Sequence, residues 1–293
     1  MPSNAKSAYL IFKVDQIKQS TLEEVELKLG ENTADVLYLV LETPGGDPFS
    51  AVAIMNILQS RFPKISAIVP RYAASAGTLM AIGTDDIYMS ERSALGPLDL
   101  PIEHPTDGSR ISALDVQNTI TTMAGLIDSI ASNRFNFLRD RKISKKDAAK
   151  IALENATDFL KPVIQQIDPY HLQKATRELR IGYWYAIDML GKRMMKNDSF
   201  ALRSKTAQTL VHEFPDHEYS IYRDDAEYML GLTVPDLSKL EIWNVKLKDI
   251  YTKIRTKSNH ISYGILEEDT VEELKQKEND SPTKPTPKRT KAR

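Results

Sequence analysis

The stretch Tyr72-Ala-Ala-Ser-Ala-Gly-Thr78 centres one serine, Ser75, in a run of alanine and glycine. An apolar run at residues 64–70 precedes it and the apolar segment at residues 78–83 follows it. This pattern predicts a strand, a tight junction and the first turns of a buried helix. Because alanine and glycine leave the surrounding backbone uncrowded, another chain can approach the serine closely. Ser75 is therefore a candidate nucleophile.

A second candidate segment follows a continuous apolar run at residues 36–41, the pattern of a parallel strand that is buried on both faces. The run ends in Glu42-Thr43-Pro44-Gly45-Gly46-Asp47, and a helical pattern begins near Phe49. Two adjacent glycines after a buried strand offer unobstructed backbone N–H groups, the donors that an oxyanion hole requires. A plain strand-to-helix turn has the same composition, so the motif indicates acyl-transfer chemistry only in combination with Ser75.

A third segment follows a predicted strand at residues 86–89 and reads Ser93-Ala-Leu-Gly-Pro-Leu-Asp99. In this order the three segments resemble the Clp-protease and signal-peptide-peptidase superfamily. A later segment, Asp216-His217-Glu218-Tyr219-Ser220-Ile221, leads into an acidic helix that ends in Gly-Leu, which is similar to the serine dehydrogenase proteinase family. Where that family commonly has aspartate and proline, this sequence has Glu218 and Ser220, so the presentation of the histidine can differ.

The resemblance implies a Ser-Asp-His triad, with the base taking the proton of the nucleophile and the aspartate orienting the base. This order differs from the Ser-His-Asp order of Clp proteases, but triads are defined by the roles of their members. The backbone N–H groups of the second glycine and of the residue after the nucleophile would stabilise the oxyanion. The residues assigned in this way are Ser75, Asp99 and His217 for catalysis, and Gly45, Gly46 and Ala76 for the oxyanion hole.

Two alternatives to His217 as the base stay open at this point. His104 lies 29 residues after Ser75, near the interval at which Clp proteases place their histidine. A serine–lysine dyad needs a desolvated lysine with a lowered pKa. No lysine occurs between Lys64 and Lys142, which leaves the usual interval empty. The remaining lysine candidates are Lys142, Lys145, Lys146 and Lys192.

The composition of the chain excludes several classes of function. The chain has 293 residues, a formal net charge of −1 and no cysteine. The charge argues against binding nucleic acid through bulk electrostatics, and the lack of cysteine excludes disulfides and a thiolate nucleophile. No glycine-rich phosphate loop or metal-ligand cluster is visible in the sequence, so we expect no cofactor and no metal. The first residues lack an apolar signal core, and no apolar run approaches the length of a membrane helix, so we expect a cytoplasmic protein without a membrane anchor.

Alternating strands and helices predict an α/β fold with a parallel sheet, and the resemblance narrows this to the ClpP/crotonase-like spiral of ββα units. The first helix is expected to open with a capping box at Thr21 and Glu24 and to stop near Gly30. Helical patterns begin at Ser112, Ser144 and Asp168, which predicts a helical C-terminal half. Their apolar stripes are typical of a core or a subunit interface. The resemblance implies that helices after the catalytic core build oligomer contacts or cover the site, so we expect a homo-oligomer.

Residues 1–266 are expected to form one peptidase domain, followed by a charged, basic and disordered tail at residues 267–293. The function indicated is that of an ATP-independent serine endopeptidase that cleaves peptides or proteins. The substrate would lie extended beside Pro44-Gly45-Gly46. Two alternatives use the same fold: crotonase-type acyl-CoA chemistry, and a catalytically silent binding or scaffold protein.

Overall fold

A computed structural model of the chain describes residues 6–99, 101–104 and 107–266. The strands in these ranges are β1 (Ser7–Lys13), β2 (Val36–Glu42), β3 (Lys64–Val69), β4 (Tyr72–Ala73), β5 (Asp86–Met89), β6 (Ala94–Leu95), β7 (Pro101–Glu103), β8 (Arg110–Ser112), β9 (Ile221–Tyr222) and β10 (His260–Leu266). The α-helices are α1 (Gln19–Leu29), α2 (Pro48–Arg61), α3 (Ala76–Ile82), α4 (Ala113–Asp140), α5 (Lys145–Ile164), α6 (Pro169–Lys192), α7 (Phe200–His212), α8 (Arg223–Tyr228) and α9 (Lys248–Ile254).

The main sheet has the strand order β10-β1-β2-β3-β5. Strands β1, β2, β3 and β5 run parallel to one another. Strand β10 pairs with β1 in the antiparallel direction. Strands β3 and β5 of the main sheet are each followed by a short strand, β4 and β6, that belongs to a second sheet. Helix α3 follows β4. The predicted parallel sheet and ββα units are therefore present.

The two faces of the main sheet bury different parts of the chain, because successive side chains of a strand point to opposite faces. Leu10, Leu39 and Ala67 belong to the larger core shared with the helices. Their neighbours Ile11, Val40 and Ile68 form one cross-strand row in the second core. That second core is covered by the segment after α8, which contributes Leu237, Leu240, Ile242, Trp243, Leu247, Tyr251 and Ile254.

The small sheet has the order β4-β6-β9 and brings three distant parts of the chain into register. Ala73 pairs with Leu95 in a parallel ladder, and Leu95 pairs with Ile221 in an antiparallel ladder. A further parallel bridge joins Thr43, directly after β2, to Ala73. These four residues therefore form one continuous row of paired backbone.

The second half of the described chain is mainly helical, as expected. Helix α5 packs along α4, and both α4 and α7 pack against α6. Each of these helices has an N-cap residue whose side chain accepts hydrogen bonds from backbone N–H groups of the first turn. The capping residues are Ser112, Ser144, Asp168 and Ser199. Among the residues described, no helix has the combined length and apolar character needed to cross a lipid bilayer.

Several local predictions need correction. Thr21 does not open helix α1, which begins two residues earlier. Its hydroxyl lies inside the first turn and accepts a hydrogen bond of 2.7 Å from the backbone N–H of Lys18. The predicted end of that helix, Gly30, is its C-cap. Helix α7 and strand β10 had no counterpart in the sequence prediction. The predicted disordered tail at residues 267–293 lies outside the described residues.

Candidate active site

The row of paired backbone at Thr43, Ala73, Leu95 and Ile221 gathers the predicted site residues at one edge of the small sheet. The residues that follow Thr43, Ala73 and Leu95 lie on one side of this row, because these segments are parallel. The residues that precede Ile221 lie on the same side, because its strand is antiparallel. Gly45 and Ser75 each lie two residues beyond the row, and Asp99 and His217 each lie four residues beyond it. Residues that are far apart in sequence therefore meet there.

Ser75 is the N-cap of α3 and has φ 51° and ψ −118°. Positive φ is uncommon for a residue with a side chain, and such backbone strain concentrates at functional sites. Nucleophile elbows between a strand and a helix have this character. Ser75 is 5% exposed, so the residue that carries the hydroxyl is largely buried.

Gly45 lies directly against the nucleophile. A Cβ added at this glycine would come within 2.9 Å of the Ser75 Cβ and 3.1 Å of the Ala76 nitrogen, and its φ is +112°. Only glycine therefore fits between the strand end and α3. Its own N–H group donates to the Thr43 hydroxyl at 3.1 Å. Of the two glycines predicted to donate to an oxyanion, Gly45 thus has its N–H group engaged within the protein.

Gly46 pairs with Ile17 in a parallel bridge that uses the flanking backbone groups. The Ile17 N–H donates to the Gly45 carbonyl at 2.8 Å, and the Asp47 N–H donates to the Ile17 carbonyl at 2.9 Å. Within the described part of the chain, the N–H groups of Gly46 and Ala76 make no hydrogen bond. These two N–H groups retain their capacity to donate to a negatively charged oxygen.

Asp99 and His217 are joined by a hydrogen bond of 2.8 Å between Oδ1 and Nδ1. The second carboxylate oxygen of Asp99 accepts the hydroxyl of Ser112 at 2.7 Å, and Asp99 is 2% exposed. Because an ionised carboxylate can only accept, Nδ1 of His217 carries the proton. In the neutral form of such a ring, Nε2 is the basic atom. The His217 side chain is 29% exposed, so the pair reaches from the interior to the surface.

Ser75 and His217 leave the same edge of the small sheet, but no hydrogen bond joins the serine hydroxyl to the imidazole among the described contacts. Catalytic hydrogen bonds are often long in the absence of substrate and shorten in the complex. The structure therefore places an oriented imidazole and a strained serine at the same edge of the small sheet.

The alternative bases have the following positions. His104 is in the β7–β8 hairpin, with Nδ1 3.3 Å from Oδ1 of Asp107. Lys142 occupies the turn between α4 and α5, and Lys145 and Lys146 are exposed in the first turn of α5. Nζ of Lys192 lies 2.8 Å from Oδ1 of Asn56 and contacts Asp188 on the α6 surface. The imidazole that Asp99 contacts is that of His217.

Three residues that the sequence reasoning missed support this arrangement. Ser112 combines its capping role with the hydrogen bond to Asp99. Thr43 accepts from Gly45, and its methyl group would lie 2.7 Å from a Cβ added at Gly77 in α3. Thr78 connects α3 with the segment before Asp99. The helix-capping pattern marks Ser112 in the sequence, but no local pattern predicts contacts between segments.

A cleft of about 570 Å³ adjoins Gly46. Its lining comes from the start of α1, the start of α2, β7 and α6, and consists of Gln16, Ile17, Lys18, Gln19, Gly46, Asp47, Pro48, Phe49, Pro101 and Glu178. The cleft combines apolar side chains with both signs of charge. In the described ranges, no cluster of histidine and carboxylate side chains has the size needed to hold a metal ion.

The family model for ClpP-like SDH-type serine proteinases matches residues 11–164, a little more than half of the chain. An uncharacterised protein of Methanocaldococcus jannaschii is 43% identical over 61 residues, which are 21% of each chain. The ATP-dependent Clp protease proteolytic subunit 1 of Prochlorococcus marinus is 27% identical over 113 residues. That match covers 37% of this chain and 56% of the subunit, so neither relative is matched over two thirds of its length.

Among solved structures, a mutant of the 1510-N membrane-bound stomatin-specific protease in complex with a substrate peptide is 23% identical. The superposition covers 52% of this chain and 74% of that protein, with a TM-score of 0.33.

Proposed function

The chain belongs to the ClpP-like SDH-type serine proteinases, and from this membership and the site geometry we propose that it is a serine endopeptidase with Ser75 as nucleophile. The membership and the observed sheet confirm the α/β fold of the ClpP type with a helical second half. The catalytic roles of Asp99 and His217, and those of the oxyanion donors, are part of the proposal.

In the first step, the Ser75 hydroxyl attacks the carbonyl carbon of the scissile peptide bond and transfers its proton to Nε2 of His217. The imidazolium that forms is stabilised by the buried Asp99 carboxylate, which already accepts the proton on Nδ1. The carbonyl oxygen becomes an oxyanion, for which the unengaged N–H groups of Gly46 and Ala76 are the proposed donors.

In the second step, the C–N bond breaks and His217 gives its proton to the leaving amine, which produces an acyl ester on Ser75. Water then attacks this ester and gives a proton to His217; the C–O bond to Ser75 breaks, and His217 returns the proton to the serine oxygen as the carboxylic acid is released. The reaction consumes one water molecule and needs no nucleotide, so we propose that cleavage of short peptides is independent of ATP.

The substrate is proposed to be an extended peptide or protein segment that lies beside Pro44-Gly45-Gly46. The bridge to Ile17 uses the Gly45 carbonyl and the Asp47 N–H, so both backbone groups of Gly46 stay outside it. An extended chain pairs with such groups through its own backbone, largely independently of sequence. The cleft next to Gly46 then receives the side chains that flank the scissile bond.

We further propose that the protein acts as a homo-oligomer in the cytoplasm. Helices α4 and α5 expose large apolar side chains, among them Phe159 at 71% and Leu153 at 56%. Exposed apolar surface on packed helices is typical of a subunit interface. The absence of cysteine fits a reducing compartment. Analytical ultracentrifugation of the full chain tests the oligomer, and a monomer at micromolar concentration would refute it.

The observation that carries the proposed function is the partly buried Asp99–His217 hydrogen bond at the same sheet edge as the strained Ser75. Covalent labelling with a fluorophosphonate probe tests it. We expect one label, located at Ser75 by peptide mapping, and no label in Ser75→Ala, with both proteins folded by circular dichroism. A folded wild-type protein without label would refute the peptidase and favour the acyl-CoA or scaffold alternatives.

A further inference from the structure

We propose that Thr78 is a positioning residue that fixes Ser75 relative to Asp99, an inference that rests on the proposed serine-peptidase function. Thr78 is fully buried in α3, three residues after the nucleophile. A buried hydroxyl group needs hydrogen-bond partners, and the identity of these partners shows which segments it connects. The partners of Thr78 lie on the two segments that lead to Ser75 and to Asp99.

The Thr78 hydroxyl is close to the carbonyl oxygens of Ala73 and Gly96, each 2.8 Å from Oγ1. It also accepts the backbone N–H of Gly96 at 3.0 Å. A hydroxyl has one proton, which the two carbonyl oxygens share. One side chain on α3 thus holds both backbone polar groups of Gly96 and the end of β4.

Gly96 in turn packs against the backbone of the nucleophile. A Cβ added at Gly96 would lie 2.8 Å from the Ala74 Cβ and 3.3 Å from the Ser75 nitrogen. Asp99 follows three residues later, after Leu98, whose N–H donates to the Leu210 carbonyl at 2.8 Å. The Thr78 hydroxyl is therefore a side-chain connection between α3 and the segment that presents Asp99 to His217.

The chain offers a matched control in Thr84, just beyond the other end of α3. Thr84 is equally buried, and its hydroxyl lies 2.7 Å from the Ala81 carbonyl and 2.9 Å from the Asp86 carbonyl. Replacing either threonine by valine keeps the shape of the side chain and removes a hydroxyl group from two carbonyl oxygens. Both substitutions should lower the stability, but only Thr78→Val removes a contact to the Asp99 segment.

Steady-state kinetics on a fluorogenic peptide separates the two roles. We expect Thr78→Val to lower kcat by about 100-fold with KM nearly unchanged, since a small displacement of reacting groups has an effect of this size. Thr78→Ser should recover most of kcat, and Thr84→Val should keep the wild-type kcat. If Thr78→Val and Thr84→Val lose stability equally and both keep wild-type kcat, the role of Thr78 is structural and the inference is overturned.

A second measurement does not depend on turnover. The proton on Nδ1 of His217, hydrogen-bonded to Asp99, should give a low-field proton NMR signal that is absent in His217→Gln. We expect this signal to shift or broaden in Thr78→Val and to stay in place in Thr84→Val. An unchanged signal in Thr78→Val would overturn the inference even in a protein that fluorophosphonate labels. A protein without label refutes the peptidase, while the NMR comparison still decides whether Thr78 places Asp99.

Discussion

Nδ1 of His217 lies 2.8 Å from Oδ1 of Asp99, although 118 residues separate the two in sequence. The carboxylate is buried and holds a second hydrogen bond from Ser112, so its orientation is fixed before any substrate binds. The imidazole is partly exposed and projects toward the surface. One end of the pair is therefore anchored in the protein interior, and the other end is accessible to a substrate.

Replacing Asp99 by asparagine should lower kcat by about 10⁴-fold, the loss typical of a triad whose histidine takes the wrong tautomer. The asparagine amide donates to Nδ1, which moves the ring proton to Nε2 and removes the base. Hydrolysis of a fluorogenic peptide measures the effect. Asp107→Asn, at the exposed contact with His104, is the control and should keep wild-type activity. Equal activity in both variants would remove Asp99 from the mechanism.

Replacing Gly46 by alanine should destabilise the fold and abolish activity. The new Cβ would lie 2.4 Å from the Ile17 carbonyl oxygen and 2.5 Å from the Ile17 nitrogen, at a φ of +145°. Steric overlap and backbone strain together should cost about 2 to 4 kcal/mol in the free energy of unfolding. Urea denaturation measures this loss.

Gly125→Ala is the control for that measurement, because a Cβ at Gly125 meets no atom within 4 Å in the described structure. Gly125 lies inside α4, so alanine should raise the free energy of unfolding by about 0.5 to 1 kcal/mol. If Gly46→Ala is as stable as Gly125→Ala, the close packing of Gly46 against Ile17 is not a property of the protein in solution.

Replacing Glu42 by glutamine should cost about 3 to 5 kcal/mol of stability, the usual effect of leaving a buried ion without its partner. Glu42 is 2% exposed at the end of β2, and its Oε1 lies 3.1 Å from Nζ of the buried Lys13. Arg71 lies 3.4 Å from the same oxygen, and the Tyr251 hydroxyl donates to Oε2. Burial, and then this hydrogen bond, raise the pKa of Tyr251, so the phenol keeps its proton.

The control for Glu42→Gln is Asp188→Asn, which removes the ion pair with Lys192 on the exposed face of α6. Surface pairs of this kind contribute about 0 to 1 kcal/mol. Thermal and urea unfolding should therefore show a much larger loss of stability in Glu42→Gln than in Asp188→Asn. Similar small losses in the two variants would mean that the contacts of Glu42 with Lys13, Arg71 and Tyr251 do not stabilise the end of β2.

His212 should make stability depend on pH just below neutrality. Burial lowers the pKa of His212 below its ordinary value of 6.5, although Glu213 and Asp99 act in the opposite direction. As the pH falls through 6.5, the unfolded chain takes up a proton that the folded protein resists, so the free energy of unfolding falls. Urea midpoints measured between pH 7 and pH 5 should decrease less steeply in His212→Asn than in the wild type. Parallel curves would contradict this assignment.

The sequence identified Ser75, Asp99 and His217 as candidates, but it did not show how the chain brings them together. The small sheet that gathers them is built from strands of two residues, such as β4 and β9, which are too short to show an alternating pattern. The long strands of the main sheet were predictable, since each is a continuous apolar run between turn residues.

The choice between the two glycines also lay beyond sequence reasoning. Gly45 and Gly46 are equivalent in composition, and only the folded backbone directs the N–H of the first to the Thr43 side chain. Helix α1 illustrates the same limit, because the Thr21 hydroxyl acts from inside the helix rather than at its cap. Tertiary hydrogen bonds and φ values decided these details, and neither follows from local propensity.

The pairing of Ile221 with Leu95 also controls when the site can assemble during synthesis. A nascent chain that ends before His217 already contains Ser75 and Asp99 but neither the histidine nor β9, the strand that follows its loop. Domains acquire structure as they emerge from the ribosome, so a late-translated strand delays the assembly of the site. Under the proposed function, the catalytic site therefore stays incomplete until the C-terminal part of the fold has been translated.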